Sequence, residues 1–446
     1  MGSTLPLELI YLCIKASSDS FAALRQLSLV SKECVSETRK YIFKDVKLDR
    51  RGRDVDLYSH RIRTFLDLLS ANGGLASYIR SLLVKLEPST YAATEAYTHD
   101  LPAILDLLTD LMTLQLNSAT TLSNHGADWD TLPDQLRLSI TRRCSALSIT
   151  NLAFADLKNF PQTLLPSASR LTHLSLLRVR GPAGAQSVST TQDVVGRLAQ
   201  PLESFSVNDS TWIAANCIFA NPGPIPSLRK LTWTISDQRD LDTLLYVLRK
   251  CGASLKELDL SFQLPPDAFA NPGLNHMINA LHIGAGMVEL PQLQLMSLSS
   301  ETLLGEIDFD TTAGLGSHLR LFVAILRTQR LLPVLRLNIK LWNPEFMTGT
   351  RASEILRDRA DWKALDAHLS SEHPAPLFTK LYFNDIWLGA GSISTLSPSQ
   401  AEKKDAFNQQ LRQETYELLS ESYRANKLTV FMEEFALPRS GVNPQP

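Results

Sequence analysis

Residues 228–260 read LRKLTWTISDQRDLDTLLYVLRKCGASLKELDL. One short pattern, apolar-x-x-apolar-x-apolar, brackets the segment: Leu228-Leu231-Trp233 at its start and Leu255-Leu258-Leu260 at its end. On a strand, residues two apart share a face. Leu231 and Trp233 therefore point one way and Thr232 the other. Between the two copies, Leu241, Leu244, Leu245 and Leu248 fall at helical spacing, Asp237 is placed to cap a helix and Gly252 to end it. The segment predicts strand, helix over Asp237 to Cys251, and strand again, the helix returning the chain.

Working outward, the same triad recurs. Upstream lie Ile79-Leu82-Val84, Leu111-Leu114-Leu116, Cys144-Leu147-Ile149, Leu171-Leu174-Leu176 and Leu202-Phe205-Val207. Downstream lie Leu293-Met296-Leu298, Leu332-Leu335-Leu337 and Phe378-Leu381-Phe383. Helices are expected in the gaps at Tyr58 to Ala71, Leu101 to Leu111 and His318 to Thr328. Loops are expected at Gly181 to Thr191 and Pro265 to Pro272. Leucine supplies 77 of the 446 residues. This pattern resembles a leucine-rich-repeat solenoid, one strand per repeat. The resemblance covers residues 76–435 and implies an α/β fold. The family's asparagine three places after the last apolar residue is missing; Ala119, Leu152, Val179, Gln263 and Ile386 stand there. The repeats are therefore irregular. An ordinary α/β domain sharing the triad is the competing reading. Ser397 to Asn426 reads as one long polar helix covering the open end of the solenoid, and residues 439–446 as a disordered tail.

Composition narrows the function classes. Lys and Arg number 44 against 46 Asp and Glu, a formal charge of -2. That argues against a partner held by bulk positive charge, so no nucleic acid is expected. The five cysteines are widely spaced with no CxxC, as expected of buried thiols in a reducing compartment. No signal peptide or membrane span is read, Ala268 to Val288 being too polar to span, and no membrane partner is expected. A cytoplasmic or nuclear protein is the expectation.

The first fifty residues follow another pattern. Leu9, Ile10, Cys13 and Ile14 share one helical face; Phe21, Leu24, Leu27, Leu29 and Val30 form a second apolar set. About forty residues make a meagre core, so this unit should lean on a neighbour. The segment resembles an F-box. Leu5-Pro6-x-Glu8-Leu9-Ile10, Leu24-x-x-Leu27-Ser28-Leu29-Val30-Ser31-Lys32 and Tyr41-Ile42-Phe43 carry the resemblance. Cys34, where the family often has an aromatic, and Ala16, near an expected leucine, depart from it. A helical cap for the solenoid is the alternative. The organisation expected is F-box over 1–48, linker and helix over 49–75, and repeats over 76–435. The resemblance implies docking on a Skp-type adaptor within a cullin ubiquitin ligase. Leu5, Pro6, Leu9, Ile10, Leu27 and Val30 are the expected adaptor contacts, some of them holding the helices together instead. The chain would be a receptor without catalytic residues, its partner an unknown protein substrate.

No constellation for catalysis is found: no GxSxG, Walker loop, GxGxxG or HExxH. No cofactor and no metal site are expected. His368 and His373 are read as surface histidines, Gly389 to Ser392 as a loop, and Arg50 to Arg53 as a solvated linker. Substrate would meet the strand positions that face away from the core. Small polar residues such as Gln115, Ser175, Thr232 and Ser261 occupy most of them. Larger groups gather late in the chain, so Arg336, Asn338, Tyr382 and Asn384 are the candidate substrate contacts.

Overall fold

The computed structural model describes residues 6–49, 55–86, 95–118, 126–161, 164–165, 170–182, 202–211, 213–214, 227–263, 289–303, 316–327, 329, 332–343, 356, 359–371, 376, 378–387 and 398–435. The chain is mixed α/β with parallel strands. It divides into two compact units, Met1–Leu202 with Trp212–Asn221 and Asn443–Pro446, and Glu203–Thr211 with Pro222–Val442.

The first unit opens with helices α1 (Leu7–Ala16), α2 (Phe21–Leu27) and α3 (Lys32–Ile42). Serines cap two of them: the Ser20 hydroxyl accepts from the Ala23 N–H and the Ser31 hydroxyl from that of Cys34. Each cap is worth about 1 kcal/mol. Ile14, Leu24 and Cys34 form a small buried core of their own, with Ile10, Tyr11, Leu27, Tyr41 and Ile42 packed against it. Cys34 therefore fills the interior of the helical unit and not its outer face.

Strands follow: β1 (Asp45–Leu48), β2 (Ser81–Leu86), β3 (Thr113–Ser118), β4 (Ala127–Asp128), β5 (Asn151–Ala155), β6 (Leu157–Lys158) and β7 (His173–Leu177). β1, β2, β3, β5 and β7 lie side by side in that order, all parallel, and β4 pairs with β6 alone. The chain is thus already in its first strand at Asp45, three residues after α3 ends. Between strands it returns through helices Val55–Ala71, Leu101–Leu107 and Asp134–Cys144. Tyr58 ties the first of these to the sheet, donating from its hydroxyl to the carbonyls of Leu48 at 3.2 Å and Lys85 at 2.6 Å.

One expected strand is out of register. Leu147 lies in the turn after helix Asp134–Cys144 and is 64% exposed. The strand begins at Asn151, and its inward residues are Leu152 and Phe154, paired with Leu114 and Leu116. The triad used is Ile149-Leu152-Phe154. A backbone ladder fixes it. Each strand entrance donates two N–H groups to the carbonyl that precedes the neighbouring strand. Arg80 and Ser81 bond to Lys44, Met112 and Thr113 to Arg80, Thr150 and Asn151 to Met112, and Thr172 and His173 to Thr150. Thr150 is thereby the counterpart of Met112, and Ile149 that of Leu111. Cys144 closes a helix and cannot also begin the repeat.

The second unit contains β8 (Ser204–Asn208), β9 (Lys230–Ile235), β10 (Glu257–Phe262), β11 (Leu295–Leu303), β12 (Val334–Asn343), β13 (Phe378–Trp387) and β14 (Leu428–Phe435), parallel and in chain order. The helix expected between β9 and β10 is present as Gln238–Cys251. It is closed by a reciprocal cap: Asp237 accepts from the Asp240 N–H, and the Asp240 carboxylate accepts from those of Ser236 and Asp237. Leu231, Trp233, Leu258, Leu260, Met296, Leu298, Leu335 and Leu337 are all buried. Each such side chain contributes about 1.5–3 kcal/mol of transfer free energy.

Two expectations for this unit are corrected. Leu335 pairs with Thr379, and Leu337 with Leu381, so the last predicted triad sits two residues too far along β13. A buried threonine occupies the place where the pattern wants leucine. The long terminal helix is two, Pro398–Leu418 and Ser420–Arg424. The break is held by Asp366, a buried carboxylate that accepts from the Glu421 and Ser422 N–H groups at 3.0 and 2.9 Å and from the Ser422 hydroxyl. Leu419 at the break is buried. The expected Pro265 to Pro272 loop, residues 183–191, Gly389 to Ser392, Arg50 to Arg53 and the 439–446 tail lie outside the described residues.

Candidate functional site

The helical unit sorts its own apolar residues. Along α1, Ile10 and Ile14 turn inward to the core, while Leu9, Leu12 and Cys13 are exposed. Leu9, Leu12 and Cys13 follow the i, i+3, i+4 spacing of one helix face. Beyond them, Phe21 opens α2, and Leu29 and Val30 occupy the turn before α3; all three are exposed, Leu29 by 77%. These large apolar side chains stay exposed while Ile14, Leu24 and Cys34 are buried.

The expected adaptor contacts divide accordingly. Pro6 stands exposed at the N-cap of α1. Leu9 and Val30 are on the surface, whereas Ile10 and Leu27 pack against the Ile14–Leu24–Cys34 core. Leu5 lies outside the described residues. Leu12, Phe21 and Leu29 were not among the expected contacts. Leu12 stands three residues after Leu9, a spacing that could have found it.

The outward strand positions of the second unit form rows set by the register. One row runs Ser206, Thr232, Asp259, Ser297, Arg336, Lys380, Thr429. The next contains Thr234, Ser261, Ser299, Asn338, Tyr382 and Phe431. Asn338 and Tyr382 are therefore register neighbours. Arg336 lies in the other row and pairs with Lys380, which the sequence reading had not placed there. Asn384 continues β13, opposite Lys340 and Glu433.

Several side chains on these rows are held. The Asn338 amide donates to the Ser297 and Ser299 hydroxyls at 3.0 and 3.1 Å. The rings of Tyr382 and Phe431 stack, with centroids 4.8 Å apart and planes 14° from parallel. The Lys380 ammonium lies 5.7 Å from the centre of the Phe378 ring and 6.0 Å from that of Phe431. Tyr and Arg are the residue types that most often anchor interfaces.

The thiols and histidines offer less. Burial pushes the Cys144 and Cys251 thiols up to about 12, so neither supplies a thiolate at neutral pH. Cys34 is also buried and unpaired by disulfide. His368 is half-buried on helix Arg359–Ser370, not on the surface, and its imidazole is held below the usual range by burial and by Arg327. His373 and Cys217 lie outside the described residues. Among the described residues no group of His, Cys, Asp and Glu could hold a metal ion, and no helix is long and apolar enough to cross a membrane. Comparison with protein-family models and with curated proteins finds no match to the chain.

Proposed function

We propose that the chain is the substrate receptor of a Skp–cullin–F-box ubiquitin ligase. Helices α1–α3 serve as the F-box, and the parallel strands with their helices serve as an irregular leucine-rich-repeat solenoid that takes a protein substrate. The observation that carries the reading is the division within the helical unit: Ile14, Leu24 and Cys34 are closed inside while Leu9, Leu12, Phe21, Leu29 and Val30 stay exposed. The adaptor would cover that surface. The strand face around Arg336, Asn338, Tyr382 and Asn384 would meet substrate.

A second reading, a repeat scaffold whose first helices serve only as a cap, is favoured by one observation. The Lys44 carbonyl, two residues past α3, accepts the first rung of the strand-entrance ladder. Co-expression of the full chain with a Skp-type adaptor, followed by affinity purification and gel filtration, separates the two. The receptor reading expects a stoichiometric complex that is lost when residues 1–43 are removed, a deletion that spares β1. A folded chain that never holds the adaptor leaves the scaffold.

A further inference from the structure

Arg336 and Lys380 are register partners on adjacent parallel strands, which places their Cα atoms about 4.8 Å apart. Both lie on the face opposite buried Leu335, Leu337 and Leu381. Arg336 is exposed, and neither cation has an ion-pair or hydrogen-bond partner among the described residues. Like charges set directly opposite each other destabilise a sheet.

The surroundings fix what the cations present. The Phe378 and Phe431 rings hold the Lys380 ammonium in place by cation–π attraction. Tyr382, stacked on Phe431, gives an apolar plane in the next row. Asn338 spends its amide N–H groups on Ser297 and Ser299, which leaves its carbonyl oxygen as a fixed acceptor. Two cations, an aromatic plane and one oriented acceptor complement a short stretch of carboxylates beside apolar side chains. They do not complement a long polyanion. Asp259 shares the row of Arg336.

We infer that this face binds an acidic segment of a protein partner, with carboxylates against Arg336 and Lys380 and apolar side chains on the Tyr382–Phe431 stack. The guanidinium offers a carboxylate two parallel N–H donors. This inference rests on the reading of that face as the substrate side.

The test is fluorescence anisotropy on the full chain. The probes are a labelled peptide of six glutamates flanked by two tryptophans, its lysine counterpart, and a single-stranded oligonucleotide of equal charge. The expected result is binding of the acidic peptide alone, weakened by salt and reduced about tenfold or more by Arg336→Glu with Lys380→Glu. Arg336→Gln and Lys380→Gln, each losing part of the affinity, decide the matter if the reversed pair fails to fold. Equal binding by native chain and variants, or no binding of the acidic peptide, overturns the inference. Oligonucleotide binding with the same dependence on Arg336 and Lys380 also overturns it, giving the face to nucleic acid. Adaptor co-purification is scored on the same preparations. Adaptor retained without peptide binding refutes the acidic class alone; adaptor never bound refutes the receptor reading and leaves the peptide result standing.

Discussion

Asp156 and Arg178 stand at equivalent exits from neighbouring strands, one residue past β5 and one past β7, both with left-handed backbone at φ 56° and 51°. Their side chains join across the repeat: the Arg178 guanidinium donates to both Asp156 carboxylate oxygens, one at 3.0 Å. The same turn is bonded through its backbone. The Asp156 N–H donates to the Leu177 carbonyl, and the Asp156 carbonyl accepts from the Ala127 N–H, both at 2.9 Å. Adjacent strands thus leave the sheet by one kind of bend, braced against β4.

Gly126 is what allows β4 to come so close. A Cβ there would lie 2.4 Å from the Asp156 carbonyl oxygen, a backbone atom that cannot swing aside. Gly126→Ala is expected to cost about 1–3 kcal/mol in urea unfolding. Arg178→Gly should be nearly neutral. It gives up a half-exposed ion pair worth at most about 1 kcal/mol and relieves a left-handed strain of about 1–2 kcal/mol. A neutral Gly126→Ala would mean the β4 contact is not formed in solution.

The register of β5 makes a sharper test. Leu152→Ala should cost about 2–5 kcal/mol, as should Leu258→Ala in β10, since both remove buried methyl groups and leave a cavity. Leu147→Ala should change stability by less than about 0.5 kcal/mol, because that side chain is already in water. The reverse order would restore Cys144-Leu147-Ile149 as the strand.

Leu258 and Leu147 also show where the local pattern stops deciding the register. Leu258 and Leu260 were legible because nothing near them competes for the pattern and a well-spaced helix precedes them. At residues 144–154 two triads overlap and share Ile149. The local letters cannot choose between them; the ladder from Thr150 to Met112 does, and that is a long-range bond. At β13 a buried Thr379 hides the true register. That two-residue slip kept Lys380 out of the candidate site although Arg336 and Tyr382 were both in it. Strand β1 has only four residues, too few to show alternation. The outward and inward halves of α1 differ by a single helical step, and the pairing of Leu9 with Ile10 as like contacts missed it.

Asp240 gives the helix Gln238–Cys251 a pH signature. Burial raises its carboxyl above 3.8, against hydrogen bonds from the Ser236 and Asp237 backbone that lower it. The folded chain then holds this proton more tightly than the unfolded chain. Its contribution to stability is full below 3.8 and is lost as pH rises through the raised value. Asp240→Asn keeps an acceptor oxygen without the charge. Relative to that variant, native stability in urea should fall as pH rises across this range. A constant difference would show the carboxyl is not desolvated.

His368 should behave in the opposite sense. Its folded value lies below 6.5, chiefly through burial and secondarily through Arg327, so the unfolded chain binds the proton more readily. The contribution is present above 6.5 and lost as pH falls through the lowered value. His368→Gln should flatten the acid side of the stability profile and leave the neutral side in place. An unchanged acid limb would mean the imidazole is solvated in the folded state.

The helical unit permits a separation that removing it whole does not. Leu9 and Leu12 are exposed, so Leu9→Ala with Leu12→Ala should leave the melting temperature nearly unchanged. Ile10 packs on the Ile14–Leu24–Cys34 core, so Ile10→Ala should lower the protection of α1–α3 amides in hydrogen exchange. If α1–α3 form an adaptor surface, the exposed pair should weaken adaptor capture by about tenfold or more without loosening the helices, since buried apolar anchors carry such interfaces. If the helices only cap the strands, the exposed pair should do nothing to capture or stability, and Ile10→Ala should be the only damaging change. Measuring capture and exchange on the same two variants distinguishes a surface built for a partner from a lid built for the fold.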